Sequence, residues 1–200
     1  MPELADVEGF RRVLARFAAG HRIDHVKAGV PAVIRNTSPQ GLGRALHGRR
    51  FGPPRRHGKW LIAPAEGRLL VLHFGMTGVL SWTKGAPRDE PDDAVTFRTG
   101  SGVLHYRTKR KLGGVWLVRD ESGLEAVTGP LGPDAAAIGR EAFVSRLGER
   151  RGGVKSALMD QSLLAGIGNE LSDEILWRAR IAPRARPAAL SEGELDALYD

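Results

Sequence analysis

Leu69-Leu70-Val71-Leu72-His73-Phe74-Gly75-Met76-Thr77-Gly78-Val79-Leu80-Ser81-Trp82 reads as a strand, a glycine-framed turn and a second strand. Two apolar runs of strand length meet there with no helix between them. The pattern extends both ways. Lys59 to Ala63 is a strand candidate upstream; Ala94 to Arg98, Val103 to Arg107 and Gly114 to Val118 are candidates downstream. Gly100-Ser101-Gly102 supplies a hairpin turn between two of them. Strands that follow one another without intervening helices imply an antiparallel sandwich or barrel. The charged, proline-bearing stretch from Lys84 to Asp93 is expected to be an exposed loop.

Helical signals bracket this block. Val7, Phe10, Leu14 and Phe17 share one apolar face, and Gly20 is a natural stop. Arg22 to Arg35 is β-like and broken at Pro31. Ser38-Pro39 has the form of an N-cap with proline at the first helical position, with Leu42, Ala45 and Leu46 facing inward and Gly48 ending the helix. Composition shifts after Val118. Gly129-Pro130-Leu131-Gly132-Pro133 punctuates a stretch that reads as a linker, and everything from Arg140 onward is helical in pattern. Phe143, Val144 and Leu147 form one face and Val154 to Leu164 another. Asn169 is placed as an N-cap before Leu171, Ile175 and Leu176, and Ser191 to Glu194 as a capping box. The fold class is therefore α+β, with a strand-rich domain over 1–120, a linker over 121–139 and a helical domain over 140–200. The last helix has barely two turns and no C-cap, so more protein is expected beyond Asp200.

The chain has 200 residues, with 30 Lys and Arg against 23 Asp and Glu, a net charge of +7. That balance suits a polyanionic partner. Basic residues cluster at Arg55, Arg56 and Lys59; at Arg107, Lys109, Arg110 and Lys111; at Arg150, Arg151 and Lys155; and at Arg178, Arg180, Arg184 and Arg186. Four clusters spread over both halves point to a surface lined for a phosphate backbone, where each contact releases counterions. Aromatic residues are too scarce for a broad single-strand stacking platform. Cysteine is absent, which excludes disulfides and thiolate metal sites within the chain. The six histidines show no helical pair at ligand spacing, so no metal site is expected. No apolar run approaches the roughly eighteen residues of a membrane span. No signal-peptide pattern is present, so the expected setting is cytoplasmic.

Pro2 carries a second signal. Removal of Met1 would leave a secondary amine beside Glu3, and an α-amino group titrates at roughly pH 7.7–8.0. An amine nucleophile next to a carboxylate suits attack on a carbonyl or a sugar anomeric carbon. The alternative is that Pro2 merely starts a helix. Other features are equally two-sided. Ala165-Gly166-Ile167-Gly168-Asn169 is either a phosphate seat at a helix start or a tight connection. Met76 is a core gap-filler or a wedge between base pairs, and Leu112 shares that ambiguity. His73 reads as a strand residue satisfied by a backbone group rather than as a catalyst.

Taken together, these stretches resemble the formamidopyrimidine-DNA glycosylase family of bacterial base-excision repair enzymes. The resemblance rests on Met1-Pro2-Glu3-Leu4, Val7-Glu8, Arg11-Arg12, Lys59-Trp60-Leu61, the 73–78 turn, Leu131-Gly132-Pro133, Leu158-Met159-Asp160 and Gly166-Ile167-Gly168-Asn169. It covers essentially the whole chain. It implies an N-terminal β-sandwich with flanking helices, a helix–two-turn–helix domain, and duplex DNA held between them. It also implies that Pro2 attacks the anomeric carbon of a flipped nucleoside to form an iminium. Glu3 would be the acid/base of ring opening and Lys59 the lysine of β-elimination. Target chemistry on a base inside a stacked duplex requires flipping. By the same resemblance Met76 intercalates, Arg110 fills the vacated space, with Lys111 and Leu112 beside it, and Arg151, Lys155 and Asn169 contact phosphates. The implied partner is duplex DNA bearing oxidised bases or abasic sites, acted on by a nucleoid-associated monomer with no cofactor in this chain. Zinc is implied only for a finger beyond Asp200.

The sequence also departs from that family. Ala5 and Asp6 stand where the family has Pro and Glu. Thr108-Lys109-Arg110-Lys111-Leu112-Gly113 replaces Asp-Pro-Arg-Arg-Phe-Gly, and Asp92-Asp93 lies where a phosphate-binding His is usual, so those carboxylates are expected to repel DNA. A non-catalytic protein that binds damaged DNA is the second reading these departures allow. A basic protein for another polyanion, such as RNA, is the third; salt titrations separate it from the others.

Overall fold

The computed structural model describes residues 1–85 and 91–200. The middle of the expected exposed loop, 86–90, lies outside the described residues. The chain divides into two compact units, Met1–Gly129 and Pro130–Asp200.

The first unit is built on two four-stranded sheets whose neighbouring strands run antiparallel throughout. One has the order β1 (Ile23–Ala28), β6 (Asp93–Thr99), β7 (Gly102–Arg107), β5 (Val79–Lys84). The other has the order β2 (Arg55–His57), β3 (Trp60–Pro64), β4 (Leu69–His73), β8 (Gly114–Val118). Alternation explains the layers, because successive side chains of a strand face opposite ways. Leu61, Ala63, Leu70, Leu72 and Val115 of the second sheet join Val95, Phe97, Leu104 and Tyr106 of the first in one buried core. Helix α1 (Leu4–Phe17) adds Val7 and Leu14 to that core, and α2 (Pro39–Leu46) adds Leu42 and Leu46. Phe17, expected on the same face, is more than a third exposed; its ring stacks on Trp82, and Arg16 lies over it.

The other face of the second sheet carries Ile62, Val71 and Val118, covered by Leu124 and Val127 of α3 (Glu121–Thr128). A helix thus stands where the punctuation suggested linker. Asp120 caps it by accepting from Gly123 N at 2.9 Å, and Gly129 leaves it at φ +68°. The apolar cover it gives the sheet, rather than its weak pattern, holds it there.

The second unit contains α4 (Arg140–Gly148), α5 (Val154–Met159), α6 (Asn169–Ala179) and α7 (Glu192–Tyr199), packed around Phe143, Leu147, Leu158, Leu176 and Leu195. Two expectations shift here. Helix α5 stops at Met159 because Asp160 Oδ1 accepts from the backbone N and the hydroxyl of Ser162, a competing local bond that turns the chain. The N-cap of α6 is Gly168, with Asn169 the first helical residue. The two turns between α5 and α6 are tied by Gln161. Its amide donates to the carbonyls of Met159 and Ile167 and accepts from Gly166 N. Ser191 and Glu194 form the expected capping box of α7.

Candidate active site and nucleic-acid interface

Register brings the candidate residues of the first unit to one end of the second sheet. Trp60 pairs with His73, and His73 pairs with Gly114. Three connections therefore open at the same sheet end: the β2–β3 turn holding Lys59, the 74–78 turn holding Met76, and the 108–113 loop holding Arg110, Lys111 and Leu112.

Glu3 is the N-cap of α1 and is 3% exposed. Its backbone N–H donates to Asp6 Oδ2 at 2.9 Å, and the two residues form a reciprocal capping box. Asp6, flagged above as a departure, thus has a clear task at N3: it ties down the chain entry and so helps aim Pro2 and the Glu3 carboxylate. Lys59 is 9% exposed. Burial pushes its pKa below the ordinary lysine value, while the charge of Glu3 opposes that shift. The Glu3 charge reaches the Lys59 amine, so carboxylate and amine share one site next to Pro2.

His73 is lowered too, first by burial and then by the Lys59 charge. A neutral ring agrees with its bonding, since its Nδ1 accepts from Gly75 N at 3.3 Å. That is the backbone satisfaction expected for His73. The ring also packs on Trp60, centroids 4.7 Å apart, which in turn lies against Trp116.

The two wedge candidates form one assembly. Met76 is 43% exposed and Leu112 54%. Gly75 sits at φ +58°, and a Cβ there would lie 2.4 Å from Gly113 N. Thr77 Oγ1 accepts from Arg110 N at 3.1 Å, and Thr108 Oγ1 accepts from Lys111 N at 3.3 Å. From below, the Tyr106 hydroxyl donates to His73 O at 2.9 Å, and burial keeps that phenol protonated. Arg35 Nη2 donates to Gly113 O at 2.7 Å and to Lys111 O at 3.3 Å. Lys111 takes a left-handed φ of +56°, which these contacts over-determine. Sequence reading missed Arg35, Thr77 and Thr108, because contacts across 31 to 78 residues leave no local signal.

Asp93 does not meet the expectation of a DNA-repelling carboxylate. Both its oxygens lie 3.0 Å from His105 Nδ1, and His105 Nε2 lies 2.7 Å from Thr83 Oγ1. The carboxylate is turned into the sheet by this buried imidazole rather than outward.

In the second unit Arg151 and Asn169 are exposed. Lys155 Nζ is paired with Asp173 Oδ1 at 2.5 Å. Backbone bonds from Val154 N to Ala185 O and from Lys155 N to Pro183 O hold the start of α5 against the 183–185 segment, which also places Arg184 beside Gly153. Among the described residues no group of three or more His, Asp or Glu could hold a metal ion, and cysteine is absent from the chain. The described residues do not fit a zinc site.

Glu8, two residues beyond Asp6, accepts from Arg11 Nε and Nη2 at 2.9 and 2.8 Å and from Arg12 Nε at 3.1 Å. The Arg11 bonds above all hold its carboxyl at about 2 instead of 4.5. A depressed carboxyl stabilises the fold above its unfolded value and loses that contribution as pH falls toward the folded one. Thermal melts should therefore show Glu8→Gln less stable than the parent at neutral pH, with the gap closing between about pH 4.5 and 2. A gap independent of pH would refute the assignment.

The chain is similar to several known proteins along its length. The formamidopyrimidine-DNA glycosylase of Desulfitobacterium hafniense is 34% identical over 208 residues, covering all of this chain and 74% of that protein. That of Salinispora arenicola is 38% identical, covering 94% of this chain and 68% of that protein. Among solved structures, Lactococcus lactis Fpg in complex with abasic-site DNA matches with a TM-score of 0.88 at 29% identity, covering 99% of this chain and 74% of that one. The same enzyme with FAPY-dG-containing DNA matches at a TM-score of 0.87 and 29% identity, covering 98% and 76%. Residues 1–115 match the formamidopyrimidine-DNA glycosylase N-terminal domain. With residues 130–200 matching the H2TH domain of the same enzymes, the chain belongs to the formamidopyrimidine-DNA glycosylase family.

Proposed function

We propose that this DNA glycosylase excises oxidised purines from duplex DNA and nicks the resulting abasic site, through a Schiff base formed by the amine of Pro2 after removal of Met1. The observation that carries the reading is the buried Lys59 held in the field of Glu3, at the helix start that aims Pro2. The secondary amine attacks C1′ of the flipped nucleoside. The base leaves with the C1′–N bond pair, the Glu3 carboxylate takes the proton that the amine gives up, and it passes that proton to the ring oxygen as the sugar opens to an iminium. Removal of a C2′ proton then expels the 3′ phosphate. Lys59 suits that proton transfer because burial gives its amine a neutral fraction at a lower pH than an exposed lysine has. Met76, Arg110 and Leu112 enter the stack vacated by the base.

Arg151, Lys155 and Asn169 take phosphates on the second unit, where Lys155 exchanges Asp173 for DNA. Such contacts make binding fall steeply with salt. The solved relatives bound to abasic-site and FAPY-dG DNA support this substrate class.

Borohydride reduction on a duplex bearing 8-oxoguanine is expected to give a covalent protein–DNA adduct that Pro2→Gly weakens together with incision. Tight lesion binding with neither adduct nor nick would instead establish a damage-binding protein without catalysis.

A further inference from the structure

Beside the turn that holds Lys59 lies an ion cluster, built on one buried guanidinium, that the chemistry above does not use. Arg56, on β2, has a side chain only 9% exposed, so it is turned inward and does not belong to the basic surface its cluster suggested. Its Nη1 donates to Gly58 O at 3.0 Å, so the guanidinium closes the turn whose next residue is Lys59. Gly58 takes φ +56°, which makes that turn tight. On its other side Arg56 Nε lies 3.5 Å from Glu8 Oε2. Glu8 stands on α1, the helix that starts at Glu3, and is itself fixed by Arg11 and Arg12. A guanidinium this buried needs its counter-charge, and removing one partner leaves an uncompensated charge inside. The two segments that carry the reactive groups thus meet in an ion pair: Glu3 is linked to it through α1 and Glu8, Lys59 through its turn and Arg56.

We propose that Glu8 and Arg56 are a positioning pair that sets the distance of the Lys59 amine from the amino end of α1, and that losing the pair uncouples strand nicking from adduct formation. The inference rests on the reading of Pro2 as nucleophile and Lys59 as the group that drives elimination. Proton transfer is sensitive to placement, because a displacement of an ångström can cost about a hundredfold. Attack by the amine at C1′ depends on Pro2 and Glu3, which the Glu3–Asp6 capping box still holds.

The test uses an abasic-site duplex, with Glu8→Gln and Arg56→Met made singly and together. Nicking is expected to fall about tenfold or more in each single variant, while duplex affinity and the borohydride-trapped fraction stay within about twofold. The double variant should be no worse than either single one, the mark of residues acting through one contact. Arg56→Lys, which restores the charge, should recover part of the nicking rate. Melting temperatures are recorded for all. Wild-type rates of nicking in Glu8→Gln and Arg56→Met overturn the inference. So does a parallel loss of nicking and trapping, which marks a merely structural cluster; the lower melting temperature already expected of Glu8→Gln does not by itself bear on the pair. If the unsubstituted protein neither traps nor nicks, the reading of Pro2 and Lys59 falls first and this inference with it. If it does both and Lys59→Met alone loses nicking, the reading stands independently of the pair.

Discussion

Glu3→Gln should lose about 10²- to 10⁴-fold in single-turnover excision of an oxidised base, the usual worth of a general acid–base group, while the protein stays folded. Glutamine keeps the shape of the side chain and an acceptor oxygen for the helix N-terminus. The reciprocal bond from Glu3 N to Asp6 is untouched, so α1 keeps its cap. What disappears is a buried negative charge. Two consequences can be read separately. Ring opening loses the group that carries the proton from the amine to the ring oxygen, which lowers the rate. Lys59 loses the charge that opposes its burial, so its pKa falls further. The lysine-dependent limb of the nicking profile on abasic-site DNA should therefore move to lower pH in Glu3→Gln. A carboxylate that served only as a helix cap would still move the profile through its charge but would leave the excision rate unchanged. Wild-type excision with an unmoved profile would remove Glu3 from the chemistry, and a matching melting temperature by circular dichroism excludes unfolding as the cause.

Gly113→Ala should have the second-largest effect, and on a different quantity. A Cβ at Gly113 would stand 2.3 Å from Tyr106 Oη, 2.4 Å from His73 O and 2.9 Å from Phe74 C. Two of those atoms are the donor and acceptor of the bond that supports the 74–78 turn. Overpacking of this kind costs about 1–3 kcal/mol. It also pushes apart the two loops that present Met76 and Leu112. The expected result is a melting temperature lowered by roughly 2–8 °C and a reduced preference for lesion-bearing over intact duplex. Gly9→Ala is the matched control. No atom lies within 4 Å of a Cβ there, and the site is an exposed position in α1. Alanine should stabilise the protein there by up to about 1 kcal/mol through helix propensity. Equal effects from the two substitutions would contradict the close approach at Gly113.

The local features that were legible from residues are those whose cause is local. The strand–turn–strand over 69–82 appears as β4, the Met76 turn and β5 because apolar runs and glycines specify it within a few residues. Ser38-Pro39 and Ser191–Glu194 cap their helices as the pattern indicates. Where a competing bond was available, the pattern misled. Asp160 diverts α5 after one and a half turns, and Asn169 yields the cap position to Gly168. Helix α3 was hidden among turn residues, because the apolar face it covers belongs to strands far away in the chain.

By itself the sequence determined the α+β class, the basic character, the positions of Pro2, Glu3 and Lys59 in their motifs, and through those motifs the family. It could not show that Lys59 is buried in the field of Glu3, since 56 positions separate the two residues and only the packing of α1 on the β2–β3 turn brings them together. Nor could it show that Asp6 completes the capping box of α1, that Asp93 faces His105, or that Arg35 and the two threonines bind the wedge loops into one assembly. The physical reason is common to all of these. Helix and strand periodicity report which face of a segment is apolar, whereas the pairing of buried polar groups depends on register between segments. At this site register is set by the pairing of Trp60 with His73 and of His73 with Gly114, contacts that exist only in the folded sheet.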